Sequence, residues 1–418
     1  MALTHDGVME LRREFPALGQ TFDGKPIAFF DGPGGTQVHG SVIDAFARYY
    51  TEANSNAHGT FEFSHRTDKT VELAREAMAD FLNARRPEEI VFGASMTALT
   101  FNLSRAMGRS LSAGDEIIVT NLDHDANVAP WVALVELGIV IRRIDFDPVD
   151  CTLDMESLHA AIGLKTKVVA VGAASNAVGT VNDIARIAEW AHEVGAWIYV
   201  DAVQYAPHAV IDVQALDVDF LSCSAYKIFG PHLGILWGRY DLLDMLPAYK
   251  VIPSDNAPPD KFETGTPNFE GMAGVTAAIN YIASIGRRFG KPAGSQRRAE
   301  IMAGMTAIRH YEMQLAEQLI EGLQSIPGVC IYGITDPKCF DKRMPVVSFT
   351  LEGHAPADIA RRLGEQAIFL WNGDFYAVHV IERLGLAEAG GLVRIGINHY
   401  NTAEEVERLL AAIGMIAA

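Results

Sequence analysis

The sequence predicts an α/β fold, with a large domain on a mainly parallel sheet and a smaller α+β domain after it. Three observations carry this expectation. From about residue 30 short apolar runs alternate with segments of helical period. The runs are bounded by Gly or Asp. After about residue 270 the rhythm changes to a long helical stretch and then a β-rich unit. With 418 residues, 49% apolar and 21% charged, the chain has material for more than one core, and disorder or a disulfide-stapled mini-domain is excluded.

In chain order, residues 70–84 place Val71, Ala74, Met78, Phe81 and Leu82 on one helical stripe. Strands are expected at 117–120 and 168–173. Residues 182–195 open on cap-type residues, set Ile184, Ile187, Ala188 and Ala191 on one face, and stop at Gly195. Further strands follow at 197–200, 220–224 and 235–238. A helical stretch at 295–325 ends before Pro327-Gly328, and strands at 345–351, 368–371 and 392–397 build the small domain. Thr402 and Glu405 form a capping box that opens a last amphipathic helix. The expected division is an N-terminal arm at 1–30 packing on the small domain, a large domain at 31–285, and a small domain at 286–418.

Lys and Arg total 34 against 52 Asp and Glu, a net charge of −18. So acidic a surface argues against nucleic acid and anionic membrane as partners. No stretch approaches the roughly 18 uninterrupted apolar residues of a membrane span, and the N-terminus lacks a basic region leading into an apolar one. Cys151, Cys223, Cys330 and Cys339 show no metal-ligand spacing and no disulfide framework. The expectation is a cytoplasmic protein with no metal site.

Two residues then stand out. Asp201 ends one predicted strand and Lys227 follows the next, and open α/β sheets place their ligands at such carboxyl ends. A lysine that attacks a carbonyl needs a fixed position and a lowered pKa. A neighbouring carboxylate can hold a pyridine nitrogen protonated. Together they meet the needs of pyridoxal phosphate, a Schiff-base lysine and a partner that keeps the ring an electron sink. Taken alone, the pair also fits a helix-capping Asp and a solvated loop Lys.

The surrounding segments resemble the class V aminotransferase family, and within it the cysteine desulfurases. The resemblance runs through Phe30-Asp-Gly-Pro-Gly-Gly35, Asn54-Ser-Asn-Ala-His58, Gly114-Asp-Glu-Ile-Ile-Val119, Asp123-His-Asp-Ala-Asn-Val128 and Pro130-Trp131. It continues through Ser175-Asn-Ala-Val-Gly-Thr180, Asp201-Ala-Val-Gln204, Ser224-Ala-Tyr-Lys227 and Phe262-Glu-Thr-Gly-Thr-Pro-Asn268, in the family's order. It implies a pyridoxal-phosphate-dependent fold of type I with a seven-stranded sheet. Lys227 would be the Schiff-base lysine, Asp201 the pyridinium partner and His124 the imidazole stacked on the ring. Gln204 and Asn176 would bond the phenolic oxygen. Ser95, Met96, Thr97 and Ser224 would hold the phosphate, because a helix opening there offers free N–H groups and a positive dipole end. Here Ala94-Ser-Met-Thr97 departs from the family's Gly-Thr-Thr-Glu, so Met96 offers only its backbone. Thr266 would reach the neighbouring subunit's phosphate, which implies a homodimer. Arg394 would grip an amino acid's α-carboxylate bidentately, with Gly34, Asn176 and Trp371 beside the substrate.

One segment breaks the pattern. Cysteine desulfurases carry Arg-x-Gly-x-x-Cys, whose Cys takes the substrate sulfur. In Trp371-Asn-Gly-Asp-Phe-Tyr376 a Trp replaces the Arg and a Tyr the Cys. Tyr cannot carry a persulfide, and the four cysteines fall elsewhere. The expectation is therefore Cα deprotonation by Lys227 and β-elimination from a cysteine-type amino acid, with Tyr376 giving a proton to the leaving group or shaping an apolar pocket with Trp371. Desulfuration, transamination and epimerisation stay open on the same fold. Ser224-Ala-Tyr-Lys227, Ser254-Asp-Asn256 and Thr264-Gly265 also resemble the motifs of serine acyl-enzyme hydrolases, but they are crowded together and Glu263 stands where a Lys is needed. A silent protein that keeps the fold as a binding module is the remaining alternative.

Overall fold

The computed structural model describes residues 3–418. Its centre is a seven-stranded sheet. In chain order the strands are β1 (Ile90–Gly93), β2 (Glu116–Thr120), β3 (Val140–Ile144), β4 (Thr166–Gly172), β5 (Trp197–Asp201), β6 (Phe220–Ser224) and β7 (Gly234–Gly238). Their spatial order is β1-β7-β6-β5-β4-β2-β3. Only β7 runs against its neighbours, pairing antiparallel with both β6 and β1.

The inner strands are rich in apolar residues because both of their faces are covered. Along β5, Ile198 and Val200 pack into the core on one side, while Tyr199 packs into the other with Trp131, Phe220 and Leu236. Each such side chain contributes about 1.5–3 kcal/mol by leaving water. Two strands of this sheet have no counterpart among those expected from the sequence. β3 is an edge strand carrying Arg142 and Arg143 and mostly solvent-facing, so it has no apolar run to detect. β1 is too short to show a period.

The expected helix at 70–84 begins earlier, at Glu62, and ends at Leu82 with Asn83 in the left-handed region. Its first turns present no broad apolar stripe. An Arg66 to Glu62 contact of 2.8 Å, one helical turn apart, supports them instead. The helix Phe269–Phe289 continues past residue 285 and packs on Arg297–Gln324. Gly304 allows the approach, since a side chain there would collide with the Ile282 carbonyl.

Beyond these helices lies a four-stranded antiparallel sheet of β8 (Val329–Tyr332), β9 (Val346–Leu351), β10 (Trp371–Gly373) and β11 (Leu392–Gly396), in the order β8-β9-β11-β10. The expected strand at 368–371 divides. Ile368–Phe369 pairs in parallel with Ala28–Phe29, and only from Trp371 does the chain join β11. The Thr402–Glu405 capping box is formed. The N-terminal segment is tied to the same region, with Arg12 on Glu405 at 2.8 Å and Asn401 on the Phe29 carbonyl at 2.9 Å. Among the described residues no helix is long and apolar enough to cross a membrane.

Candidate active site

The register of the large sheet aligns one edge. Gly172 stands opposite Asp201, Asp201 opposite Ser222, and Gly234, the first residue of the reversed β7, pairs with both Ser224 and Gly93. The carboxyl ends of β1, β4, β5 and β6 therefore open on the same side. A cavity of about 520 Å³ lies there, bordered above by β10, β11 and the loop after β10.

At one end the chain leaves β1 and turns into the helix Met96–Gly108. Ser95 caps it, its hydroxyl accepting the Ala98 N–H at 3.1 Å. Gly234 lets this turn lie directly on β7, because a side chain there would strike the backbone of Ser95 and Met96. The first N–H groups of the helix face the cavity end with the positive dipole, which suits an anion.

On the floor, Asp201 accepts the Val203 N–H at 2.9 Å. Burial pushes its carboxyl up to about 6, against the pull of Lys227. Asp123, fully buried beside it, accepts the Gly172 N–H at 2.6 Å. Burial and the Asp201 charge push that carboxyl up to about 8. Lys227 sits in the turn Ala225–Lys227 after β6, with Nζ donating to the Pro33 carbonyl. Burial, helped by Arg394, brings its amine down to about 7. It is therefore close to its nucleophilic form near neutrality.

On the walls, burial and the neighbouring Lys227 and Arg394 charges bring His124 down to about 4. Its Nδ1 accepts the Ala126 N–H, so the neutral ring is held in one tautomer. Arg394 rises from β11 with Nη1 donating to the Asn176 carbonyl at 3.0 Å. Its guanidinium lies 4.0 Å from the centre of the Phe375 ring. Asn176 Nδ2 in turn donates to the Phe375 carbonyl at 2.9 Å. Phe375 and Tyr376 both take positive φ, 57° and 58°, a conformation that costs about 1–3 kcal/mol for each such residue. This bend lays Tyr376 against His124, rings nearly parallel with centres 5.5 Å apart. Trp371 covers Gly34, where any side chain would collide with the indole.

The model of class-V aminotransferases matches residues 28–409. The chain is 33% identical over 424 residues to a cysteine desulfurase of Synechococcus elongatus, covering 98% of this chain and 63% of that one. It is 32% identical over 425 residues to a cysteine desulfurase of Enterobacter, covering 98% of both. Two solved structures are similar over 98% of each chain. One is the apo cysteine desulfurase of Thermococcus onnurineus, with TM-score 0.87 and 28% identity. The other is an S-sulfonic acid form of an Escherichia coli cysteine desulfurase, with TM-score 0.83 and 26% identity.

The chain belongs to the class-V aminotransferase family. It is a pyridoxal-phosphate-dependent enzyme of fold type I. The cavity suits that cofactor on its own chemistry. A buried lysine and a buried carboxylate flank it, a helix N-terminus opens on it, and Asn176 Oδ1, Gln204 Oε1 and Arg394 Nε are buried beside it without partners.

The site residues expected from this class-V sequence converge. Lys227, Asp201, His124, Gln204, Asn176, Ser95, Met96, Thr97, Ser224, Gly34, Trp371, Tyr376 and Arg394 all line the one cavity. Thr266 does not. It lines a separate hollow of about 880 Å³ on the far side of the helix Met96–Gly108, with Phe101, Arg105 and Tyr249. Asp123, Tyr226 and Phe375 line the cavity and were missed. Asp123 could have been found from its place directly before His124 at a strand end; nothing in the sequence marks Phe375 as a support for Arg394.

Proposed function

We propose that this enzyme eliminates a sulfur-bearing group from Cβ of a cysteine-type amino acid without using a cysteine of its own. The observation that carries the reading is the loop after β10. Tyr376 stands there on the cavity wall, and among the described residues no cysteine lines the cavity. Cys151 and Cys223 are buried, and burial pushes both thiols up to about 12. Cys330 lies on the edge strand β8 and Cys339 in the turn Pro337–Lys342.

Lys227 would bind pyridoxal phosphate covalently, Asp201 would pair with its ring nitrogen, and the Ser95–Thr97 turn with Ser224 would hold its phosphate. When bound, the cofactor supplies an electron sink that makes the substrate's Cα–H acidic. Arg394 offers its unpartnered Nε to the substrate carboxylate, and the Phe375 ring keeps the guanidinium in one plane. Lys227, whose amine stands in the cavity, would take the Cα proton. The Cβ–S bond breaks with its electron pair on sulfur, and Tyr376 protonates the departing group. Hydrolysis of the remaining three-carbon unit gives pyruvate and ammonia. Trp371 and Tyr376 present an aromatic mouth, which favours an S-substituted cysteine over a free thiol.

We place Thr266 at a neighbouring subunit's phosphate site, which makes the working unit a homodimer. Four unpaired cysteines favour the cytoplasm. The test is incubation of the loaded protein with cysteine, S-alkyl-cysteines, their sulfoxides and alanine, following pyruvate, sulfide and chirality. Pyruvate from the S-substituted compounds is expected. Racemisation, or conversion of the cofactor to its amine form without pyruvate, overturns the proposal in favour of epimerisation or transamination.

A further inference from the structure

Behind the cavity wall lie two buried titratable side chains that the proposed reaction does not use. Glu312, halfway along the helix Arg297–Gln324, is fully buried, and its Oε2 is 2.8 Å from His208 Nδ1. His208 Nε2 is 3.3 Å from Gln204 Nε2. All three side chains are buried, and the last of them lines the cavity. A line of polar groups thus runs from the long helix to the cofactor site.

The orientation of Gln204 is the informative detail. With Nε2 turned to the imidazole, its Oε1 is buried and unpartnered. Leaving such an oxygen unpaired in the interior is unfavourable. A half-turn of the amide exchanges the two atoms. Oε1 then accepts an N–H from His208, and the amide NH₂ turns toward the cavity. That arrangement needs an N–H at His208 Nε2, and the Glu312 carboxyl behind Nδ1 holds the ring in place to present it; as a carboxylate, Glu312 also strengthens that donor.

Other groups face this pair. Burial pushes the Glu312 carboxyl up, while His208, the His399 backbone N–H and Arg309 bring it down. The His399 imidazole, held down at about 3 by burial, adds no charge. Tyr281 contacts its Nε2 at 2.6 Å.

We propose that Glu312 and His208 are positioning residues that turn Gln204 into a hydrogen-bond donor toward the cofactor's phenolic oxygen. The inference rests on the reading of Gln204 as the group beside that oxygen. A donor there matters most once the adjoining Lys227–cofactor nitrogen has lost its proton, because the phenolate then has no internal partner. The donor therefore lowers the pH at which that nitrogen deprotonates.

Absorbance titration of the cofactor-loaded protein reads this midpoint independently of turnover. Glu312→Gln keeps size and burial but removes the anion, and the midpoint is expected to rise by about one pH unit, a tenfold change in proton affinity. His208→Gln can donate to Gln204 without an anion behind it. In the Glu312→Gln background it is expected to bring the midpoint back toward the parent value. An unmoved midpoint in a folded, loaded Glu312→Gln protein overturns the relay. If that variant does not fold, His208→Leu should raise the midpoint while His208→Gln keeps it, and equal midpoints overturn the relay. Failure of the underlying reading looks different, since replacing Gln204 itself, as Gln204→Leu, would then leave the midpoint of the loaded protein unmoved, whereas failure of the relay alone leaves Gln204→Leu shifted and Glu312→Gln not.

Discussion

Lys227 is held among Asp31, Asp201 and Arg394, and burial together with the Arg394 charge brings its amine down to about 7. A lowered lysine pKa means that the nucleophilic amine predominates above about 7 and is lost below it. Capture of pyridoxal phosphate by cofactor-free protein should accelerate as pH rises through about 7 and then level off. Stopped-flow absorbance checks this, and a rise centred near the ordinary lysine value would contradict it. Tyr376→Phe should lower kcat on a poor sulfur leaving group by about 100-fold with little change in KM, the scale of one lost general acid. A loss confined to KM would leave Tyr376 a packing residue. Asp201 and Lys227 were legible in the sequence because Asp201 ends one strand-like run and Lys227 follows closely on the next. Phe375, Glu312 and His208 were not, because their roles depend on which distant residues they touch. Glu312 lies on the long helix as one more helical carboxylate until folding buries it against His208.

At the scale of elements, the strands that carry the site were the readable ones. β4, β5 and β6 are covered on both faces and so appear as short segments of mostly apolar or small residues. β3 and β8 are partly solvent-facing edge strands whose pairing rests on backbone hydrogen bonds that leave little trace in composition. The turn before the helix Met96–Gly108 depends on a residue far away in sequence. Gly234→Ala would push Ser95 and Met96 off β7. The cofactor dissociation constant should rise by about tenfold or more while circular dichroism stays native. An unchanged constant would show that this turn does not hold the phosphate. The loop after β10 was readable as a departure in sequence, but its two successive positive φ values, which aim Phe375 at Arg394 and Tyr376 at His124, are set by tertiary contacts.

In the whole molecule, the cavity lies where the carboxyl edge of the large sheet meets the small one. Lys227 and Asp201 come from the first, Arg394 and Trp371 from the second. We propose that 31–285 and 286–418 act as two domains joined by the arm at 1–30, so that changes in their spacing reach Arg394 before they reach Lys227. The homodimer reading predicts a sedimentation mass of twice the 45.5 kDa chain at micromolar concentration. A monomer that binds cofactor fully would contradict the place given to Thr266. The central claim is elimination without a protein thiol. Its most direct measurement is pyruvate formation from an S-alkyl-cysteine by the loaded protein with Cys151, Cys223, Cys330 and Cys339 all replaced by Ala. Turnover within about twofold of the parent is predicted. Loss of turnover in a folded, loaded variant, restored by returning a single cysteine, would contradict it.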